Sequence, residues 1–315
     1  MNHPTPVVSI IIPAYQVAPY IAAAIESVLK QTWTSYEIIV VNDGSPDTAA
    51  LEAALAPYRD RMIYRVQPNR GAGAARNTAI QAARGTWLAF LDADDLWEPG
   101  FLASQLDLLE QGGYDMVYAN SRLFGEGNQS GRTCMDMSPS EGTPDLEGLL
   151  SLRCQPITST TVVRRQLVMD AGGFDEAILR GQDFDLWVRL AQRGARIGYQ
   201  RTVLGSYRRR ADSLSGLDER GLIDRELNLY RTLRGKLADS ATARHIIDGQ
   251  VDRLTAAREL AEAKAELVAG NYPAAARRFK SAWQQRRSLK LLLTRLLLPV
   301  APGLLRSAYL RRHRQ

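Results

Sequence analysis

The run VVSIIIPAY, Val7 to Tyr15, decides the fold. Val7 to Ile12 are mostly β-branched, with no alternating polar face, which is the pattern of a parallel strand buried on both sides. Pro13 is expected to stop it. Downstream, Ile21, Ile25, Val28 and Leu29 recur at helical spacing, and Glu37 to Val41 (EIIVV) repeats the buried-strand pattern. This is a βαβ unit. The alternation continues with a helix near Asp47 to Ala56, a strand at Met62 to Val66, a helix from Gly71 to Ala83 and a strand at Trp87 to Leu91. The expected class is α/β with a largely parallel sheet.

Ligands in open α/β sheets bind at the carboxyl ends of strands, so the residues after each apolar run carry the chemistry. Here they are Pro13-Ala14-Tyr15, Asn42-Asp43-Gly44-Ser45 and Asp92-Ala93-Asp94-Asp95, which gathers carboxylates on one rim. Leu123 to Pro144, polar and without periodicity, reads as a mobile loop or irregular hairpin over that rim. Gly172-Gly173-Phe174-Asp175 follows, then Gln182 to Trp187 (QDFDLW) opening a helix. A strand-like segment from Val203 to Tyr207 precedes Arg208-Arg209-Arg210, and from about Leu217 the chain reads as helical.

Clustered Asp92, Asp94 and Asp95 supply hard oxygen ligands suited to Mg²⁺ or Mn²⁺. Alone, the same triplet is more often a helix N-cap cluster than a metal site, and Asp43-Gly44-Ser45 alone is a turn. Gly71-Ala72-Gly73 does not extend to a dinucleotide fingerprint, because Arg76 stands at the third glycine position. Trp97 and Trp187 follow the two acidic motifs. Core packing is the expectation for Trp187, while Trp97 is open between packing and sugar stacking.

At 315 residues, 45% hydrophobic and 23% charged, the composition suits a soluble domain of about 200 residues with an appendage. Cys134 and Cys154 form no CxxC, which suits a reducing compartment. The opening MNHPTP has no signal-peptide features, so a cytoplasmic location is expected. The net charge of +6 conceals an asymmetry: from Leu267 to Gln315 there are eleven Lys or Arg and no Asp or Glu. A mildly acidic body carries a basic tail, suited to anionic lipid or acidic partners. No nucleic-acid-binding module is recognisable.

Within the tail, Gly270, Tyr272, Ala275, Phe279 and Ala282 have the spacing of one tetratricopeptide-like hairpin, which is not an array. Leu289 to Leu298 is leucine-rich, but Lys290 and Arg295 interrupt it and Pro299 and Pro302 follow, so it is too short and charged to span a bilayer. Arg287, Lys290 and Thr294 share a face. The expectation is an in-plane helix on the inner face of the plasma membrane, with Arg306, Arg311, Arg312 and Arg314 toward anionic headgroups. A dimerisation helix or a helix closing the bundle core is the competing reading.

In this order, VSIIIPAY, EIIVVNDGSPD, NRGAGAARNTAI, WLAFLDADDLWEPG, GGFDE and QDFDLWVRL resemble the family-2 inverting glycosyltransferases of the GT-A fold, over about Val7 to Ser215. The resemblance implies a nucleotide-sugar-binding catalytic domain at 1–215, followed by a helical extension at 216–285 and a basic amphipathic tail at 286–315. It implies that Pro13, Ala14, Tyr15 and Asp43 frame the nucleotide base and ribose, with Asp43 favouring uracil. Arg76 would support the nucleotide, Asp92 and Asp94 would hold ribose and metal (Mn²⁺ or Mg²⁺), with Asp94 the direct ligand, and Asp183 would be the base that activates a saccharide or lipid-linked acceptor. Two positions depart from the pattern. Gln182 stands where Glu often precedes the base. Arg210 stands where relatives frequently carry a metal-ligating His, and is expected either to pair with the diphosphate or to be a solvated surface arginine. The alternative of another class is an inactive sugar- or partner-binding scaffold. A nucleotidyltransferase is disfavoured, because no basic glycine-rich phosphate loop follows the first strand.

Overall fold

The computed structural model describes residues 5–126, 131–210, 219–285 and 289–312. The chain divides into two compact units, Met1–Ser213 and Leu214–Gln315.

The first unit is built on an eight-stranded sheet ordered β3-β2-β1-β4-β7-β6-β8-β5. The strands are β1 (Val8–Ala14), β2 (Tyr36–Asp43), β3 (Ile63–Gln67), β4 (Trp87–Phe90), β5 (Leu96–Trp97), β6 (Met116–Gly125), β7 (Val162–Arg164) and β8 (Ile197–Arg209). Four are parallel, β3, β2, β1 and β4. The short β7 runs antiparallel to β4 and β6, and β6 pairs parallel with β8, so the sheet is mixed but largely parallel. Helices α1 (Ile21–Leu29), α2 (Thr48–Leu55), α3 (Ala72–Ala82) and α4 (Phe101–Gly112) connect the first six strands. Four short or late helices complete the unit: α5 (Cys134–Met137), α6 (Leu146–Leu150), α7 (Arg165–Asp170) and α8 (Gln182–Gln192).

The core explains the run that opened the chain. Val8, Ile10, Ile11 and Ile12 are wholly buried, as are Ile39, Val40 and Val41 of β2, because helices cover both faces of a parallel sheet. Pro13 does not stop β1, contrary to expectation. The strand runs on to Ala14 paired with β2 alone, since the β4 ladder ends at Ile11, and a residue with one neighbouring strand tolerates a missing N–H.

Two further segments differ from the sequence reading. Leu123 to Gly125 belong to β6, and α5 is closed by a capping box in which Thr133 Oγ1 accepts from Asp136 N–H while the Asp136 carboxylate accepts from Thr133 N–H. Part of the expected loop, 127–130, lies outside the described residues. Strand β8 covers Ile197–Arg209 and not only Val203 to Tyr207, with register shifts against β6 at Ala119–Ser121. Such irregularity breaks the alternation by which a strand is read from sequence.

The second unit is helical: α9 (Glu219–Lys236), α10 (Ala241–Ala269), α11 (Tyr272–Gln285), α12 (Leu289–Leu297) and α13 (Pro302–Arg312). Leu291 and Leu298 pack with Ala263, Leu267, Ala275 and Phe279. Leu293, Leu296, Leu297, Val300 and Leu304 stay exposed, Val300 at 83%. Arg295 lies over the Trp283 ring, 5.0 Å from its centroid. Arg287 and Arg314 fall outside the described residues, as do the side chains of Lys290, Arg311 and Arg312. Among the described residues, no helix is long and apolar enough to cross a membrane.

Candidate active site

The site begins where β1, β2 and β3 end. Asp43, the last residue of β2, is buried and sews the next loop in place. Its Oδ1 accepts from Gln67 Nε2 at 2.7 Å and Arg70 N–H at 3.0 Å, and its Oδ2 accepts from Gly71 N–H at 2.8 Å. Gly44 follows with φ +60, and an added Cβ would lie 2.6 Å from Asn69 N, so the turn requires glycine. Gln16, just past Tyr15, has φ 53, and its N–H donates to Ser45 Oγ at 2.7 Å, holding the ends of β1 and β2 together. Tyr15 remains exposed beside them.

The acidic triplet after β4 is threaded through arginines. Arg76, buried on α3, donates through Nη2 to Asp92 Oδ1 at 2.5 Å and faces the Phe174 ring. Arg210 donates through Nη1 to Asp94 Oδ2 at 3.1 Å. Arg208 donates through Nε to the Asp94 carbonyl at 2.9 Å and through its own N–H to Asp95 Oδ1 at 2.7 Å. Both Arg208 and Arg210 lie over the ring of Tyr20, 4.7 and 4.9 Å from its centroid. Burial, then the charge of Asp92, raises the Asp94 pKa, with Arg210 opposing. Burial and the neighbouring Asp92 and Asp94 push Asp95 well above the usual carboxylate range.

The arginine run thus serves two faces. In a strand, alternate residues point to opposite sides. Arg208 and Arg210 meet the acidic triplet, whereas Tyr207 and Arg209 line a cleft of about 280 Å³ together with Asp92, Thr158 and Asp183. Asp183, in the first turn of α8, accepts from Thr158 Oγ1 at 2.6 Å through Oδ2 and from Phe184 N–H at 2.8 Å through Oδ1. Cys134 also lines the cleft, but burial pushes its thiol up to about 12, which leaves no thiolate to act as a nucleophile.

The sheet edge therefore brings Asp43, Arg76, Asp92, Asp94 and Arg210 to one rim, and the cleft joins Asp92 to Asp183. Gln182 turns away: it is buried against α3, where a Cβ on Gly73 would lie 3.4 Å from its Cγ. Trp97 is buried, stacks on Phe101 and donates through Nε1 to Ser159 O at 2.6 Å, so it packs the core and does not face a sugar. Trp187 is likewise buried, against Phe90 and Phe174. At Gly173, φ is +71 and an added Cβ would lie 2.6 Å from Asn77 Oδ1; Asn77 holds the following Phe174 through both its N–H and its carbonyl. Sequence reading missed Thr158, Ser159 and Tyr20. Their neighbours along the chain carry no signal; only tertiary packing assembles them.

A sequence profile described as "Glycosyl transferase family 2" matches residues 9–166, which span β1 to the start of α7. The chain belongs to glycosyl transferase family 2. It is 32% identical over 208 residues to an uncharacterized glycosyltransferase of Rickettsia bellii strain RML369-C, covering 63% of this chain and 29% of that protein. The succinoglycan biosynthesis protein ExoO of Rhizobium meliloti strain 1021 is 32% identical over 235 residues, covering 68% of this chain and 65% of that one. The chain spans about a third of the length of the first three curated relatives it matches, 29%, 33% and 34%.

Among solved structures, Staphylococcus aureus TarS 1–349 in complex with UDP-GlcNAc aligns with a TM-score of 0.62 at 18% identity, over 94% of this chain and 87% of that one. The mannosyltransferase PcManGT of Pyrobaculum calidifontis, in complex with GDP-Man and Mn²⁺, aligns at 0.59 with 20% identity, over 97% and 85%. The shared fold is of the GT-A kind. The family-2 chain has the expected α/β sheet and the helices that follow it.

Proposed function

We propose that this family-2 chain is an inverting glycosyltransferase that moves a sugar from a nucleoside-diphosphate donor, foremost a UDP-sugar, to a hydroxyl of a saccharide or lipid-linked saccharide. The observation that carries the reading is one cleft lined by both Asp92, of the acidic triplet, and Asp183, on another element. Transfer poses two demands, a counter-charge for the departing diphosphate and a base for the attacking hydroxyl. Asp183 takes the proton from the acceptor hydroxyl as that oxygen attacks the anomeric carbon, a single displacement that inverts it. Pro13, Ala14, Tyr15 and Asp43 frame the base and ribose. Asp43 Oδ2 accepts one N–H from the chain and keeps a lone pair for the ring N–H of uracil. Arg76 holds Asp92 toward the ribose.

A divalent ion at Asp92 and Asp94 is tested by the donors themselves. Both are hard oxygen ligands, but each is already paired with an arginine, and an ion on Asp94 Oδ2 would take the place of the Arg210 guanidinium. The two arginines occupy one oxygen of each carboxylate, Asp92 Oδ1 and Asp94 Oδ2, so Mn²⁺ or Mg²⁺ would be held by Asp92 Oδ2 and Asp94 Oδ1 or would displace Arg210. We assign the diphosphate counter-charge to Arg210, whose planar fork suits phosphate oxygens. ExoO's name and the donors bound by TarS and PcManGT support a nucleotide-sugar and a polysaccharide product here.

The test is donor binding by calorimetry, and donor turnover, over a panel of UDP-, GDP- and dTDP-sugars, with Mn²⁺ or with EDTA. Selective binding and turnover of one donor is expected. Folded protein that binds none of them rejects the reading and favours the scaffold alternative.

The exposed leucines of α12 and α13, on a tail rich in Lys and Arg, support a peripheral site on an anionic membrane, close to a lipid-linked acceptor. Full-length protein is expected to sediment with vesicles containing phosphatidylglycerol but not with pure phosphatidylcholine. Leu296→Glu with Leu304→Glu, or high salt, is expected to release it. Equal sedimentation of wild type and the double variant would rule the site out.

A further inference from the structure

Thr158, Ser159 and Thr160 form a single 3-10 turn just before β7, and all three are buried. The turn is held from beneath by four bonds. Thr160 Oγ1 donates to Ala119 O in β6 at 2.7 Å, Gln105 Nε2 donates to Thr160 O at 2.7 Å, Trp97 Nε1 donates to Ser159 O at 2.6 Å, and Thr161 Oγ1 donates to Ile157 O at 2.9 Å. Bonds to three separate elements leave the turn little freedom. Its other two hydroxyls reach in different directions. Ser159 Oγ accepts from Asp92 N–H at 3.2 Å, and Thr158 Oγ1 donates to Asp183 Oδ2 at 2.6 Å.

The second bond matters because α8 has no side-chain N-cap; Gly181, at the cap position, has φ 80. A carboxylate's terminal torsion is broad and roughly two-fold, so the plane of Asp183 is set by the hydrogen bonds it accepts. Phe184 N–H on one oxygen and the Thr158 hydroxyl on the other fix it. The same rigid turn thus touches the start of the acidic triplet and the candidate base.

We infer that Thr158 is a positioning residue for Asp183, and that the 158–160 turn sets the separation of the base from the Asp92 strand end. The inference rests on the assignment of Asp183 as base. It follows from the geometry of proton transfer, in which a misplacement of about 1 Å costs on the order of 10²-fold in rate.

The test compares Thr158→Val, which keeps the shape and removes the hydroxyl, with Thr158→Ser, which keeps the hydroxyl. In steady-state transfer, Thr158→Val is expected to lose about 10- to 100-fold in kcat with both KM values little changed, and Thr158→Ser to stay near wild type. A crystal structure of Thr158→Val is expected to show the Asp183 carboxylate rotated and the turn otherwise in place. Undiminished kcat in Thr158→Val, a loss confined to KM, or equal losses in both variants would overturn the inference. The crystal readout stands apart from activity: Asp183 unmoved in Thr158→Val sinks the positioning role. Absence of transfer by wild type, with the carboxylate rotated in the variant, instead counts against the glycosyltransferase reading.

Discussion

Asp183→Asn is expected to lower transfer kcat by about 10²- to 10⁴-fold, the usual contribution of a general base, while donor affinity stays near wild type. Asn keeps the volume; its Oδ1 still accepts from Phe184 N–H, and its Nδ2 can donate to Thr158 Oγ1, whose hydroxyl also accepts, so both contacts that orient the side chain are retained. It cannot accept a proton from the acceptor hydroxyl. The loss should therefore fall on kcat, with KM for the donor little changed. Loss of donor affinity in step with rate would move Asp183 from the acceptor side to the donor side. Retained transfer would remove it from the chemistry altogether.

Arg210→Ala is expected to weaken nucleoside-diphosphate binding by about 10- to 100-fold, the range of a charge-assisted hydrogen bond of about 1.5–3 kcal/mol. Wild type is expected to bind and turn over donor in EDTA, and Arg210→His to acquire dependence on Mn²⁺, because imidazole ligates a cation and a guanidinium does not. Wild-type turnover abolished by EDTA, with normal donor affinity in Arg210→Ala, would return the counter-charge to a metal.

The same variant should report on stability with a definite pH sign. The folded state already raises the Asp94 pKa, so its charged form is disfavoured there, and Arg210 opposes that shift. Without Arg210 the carboxyl is pushed further up. Stability lost in Arg210→Ala should then be small at acid pH, where Asp94 is protonated in both states, and grow as pH rises through the carboxylate range. Asp94→Asn added to Arg210→Ala should recover part of the loss, since it removes the unpaired charge. A loss independent of pH would indicate that Arg210 acts through packing on Tyr20.

The sequence by itself determined the architecture, the family and the carboxylates. Buried parallel strands need apolar runs, and the chain between them must turn at the sheet edge, so Asp43, Asp92 and Asp94 could be read from the residues that follow each run. Asp183 and Arg76 were legible through motif order. Tertiary structure alone decided how those charges pair. Arg210 on Asp94, Arg76 on Asp92 and Thr158 on Asp183 join residues 116, 16 and 25 positions apart, and no local periodicity encodes a contact at such separations. The run Arg208-Arg209-Arg210 looked like one basic patch; the alternation at the end of β8 sends Arg208, and Arg210 just past the strand, to the acidic triplet and Arg209 into the cleft. Trp97, open to two roles in the sequence, became a core residue because Ser159 O lies within reach of its indole N–H. The physical reason is common to all of these: burial and periodicity are properties of short windows, whereas the partner of a charge is set by which distant elements the sheet brings side by side.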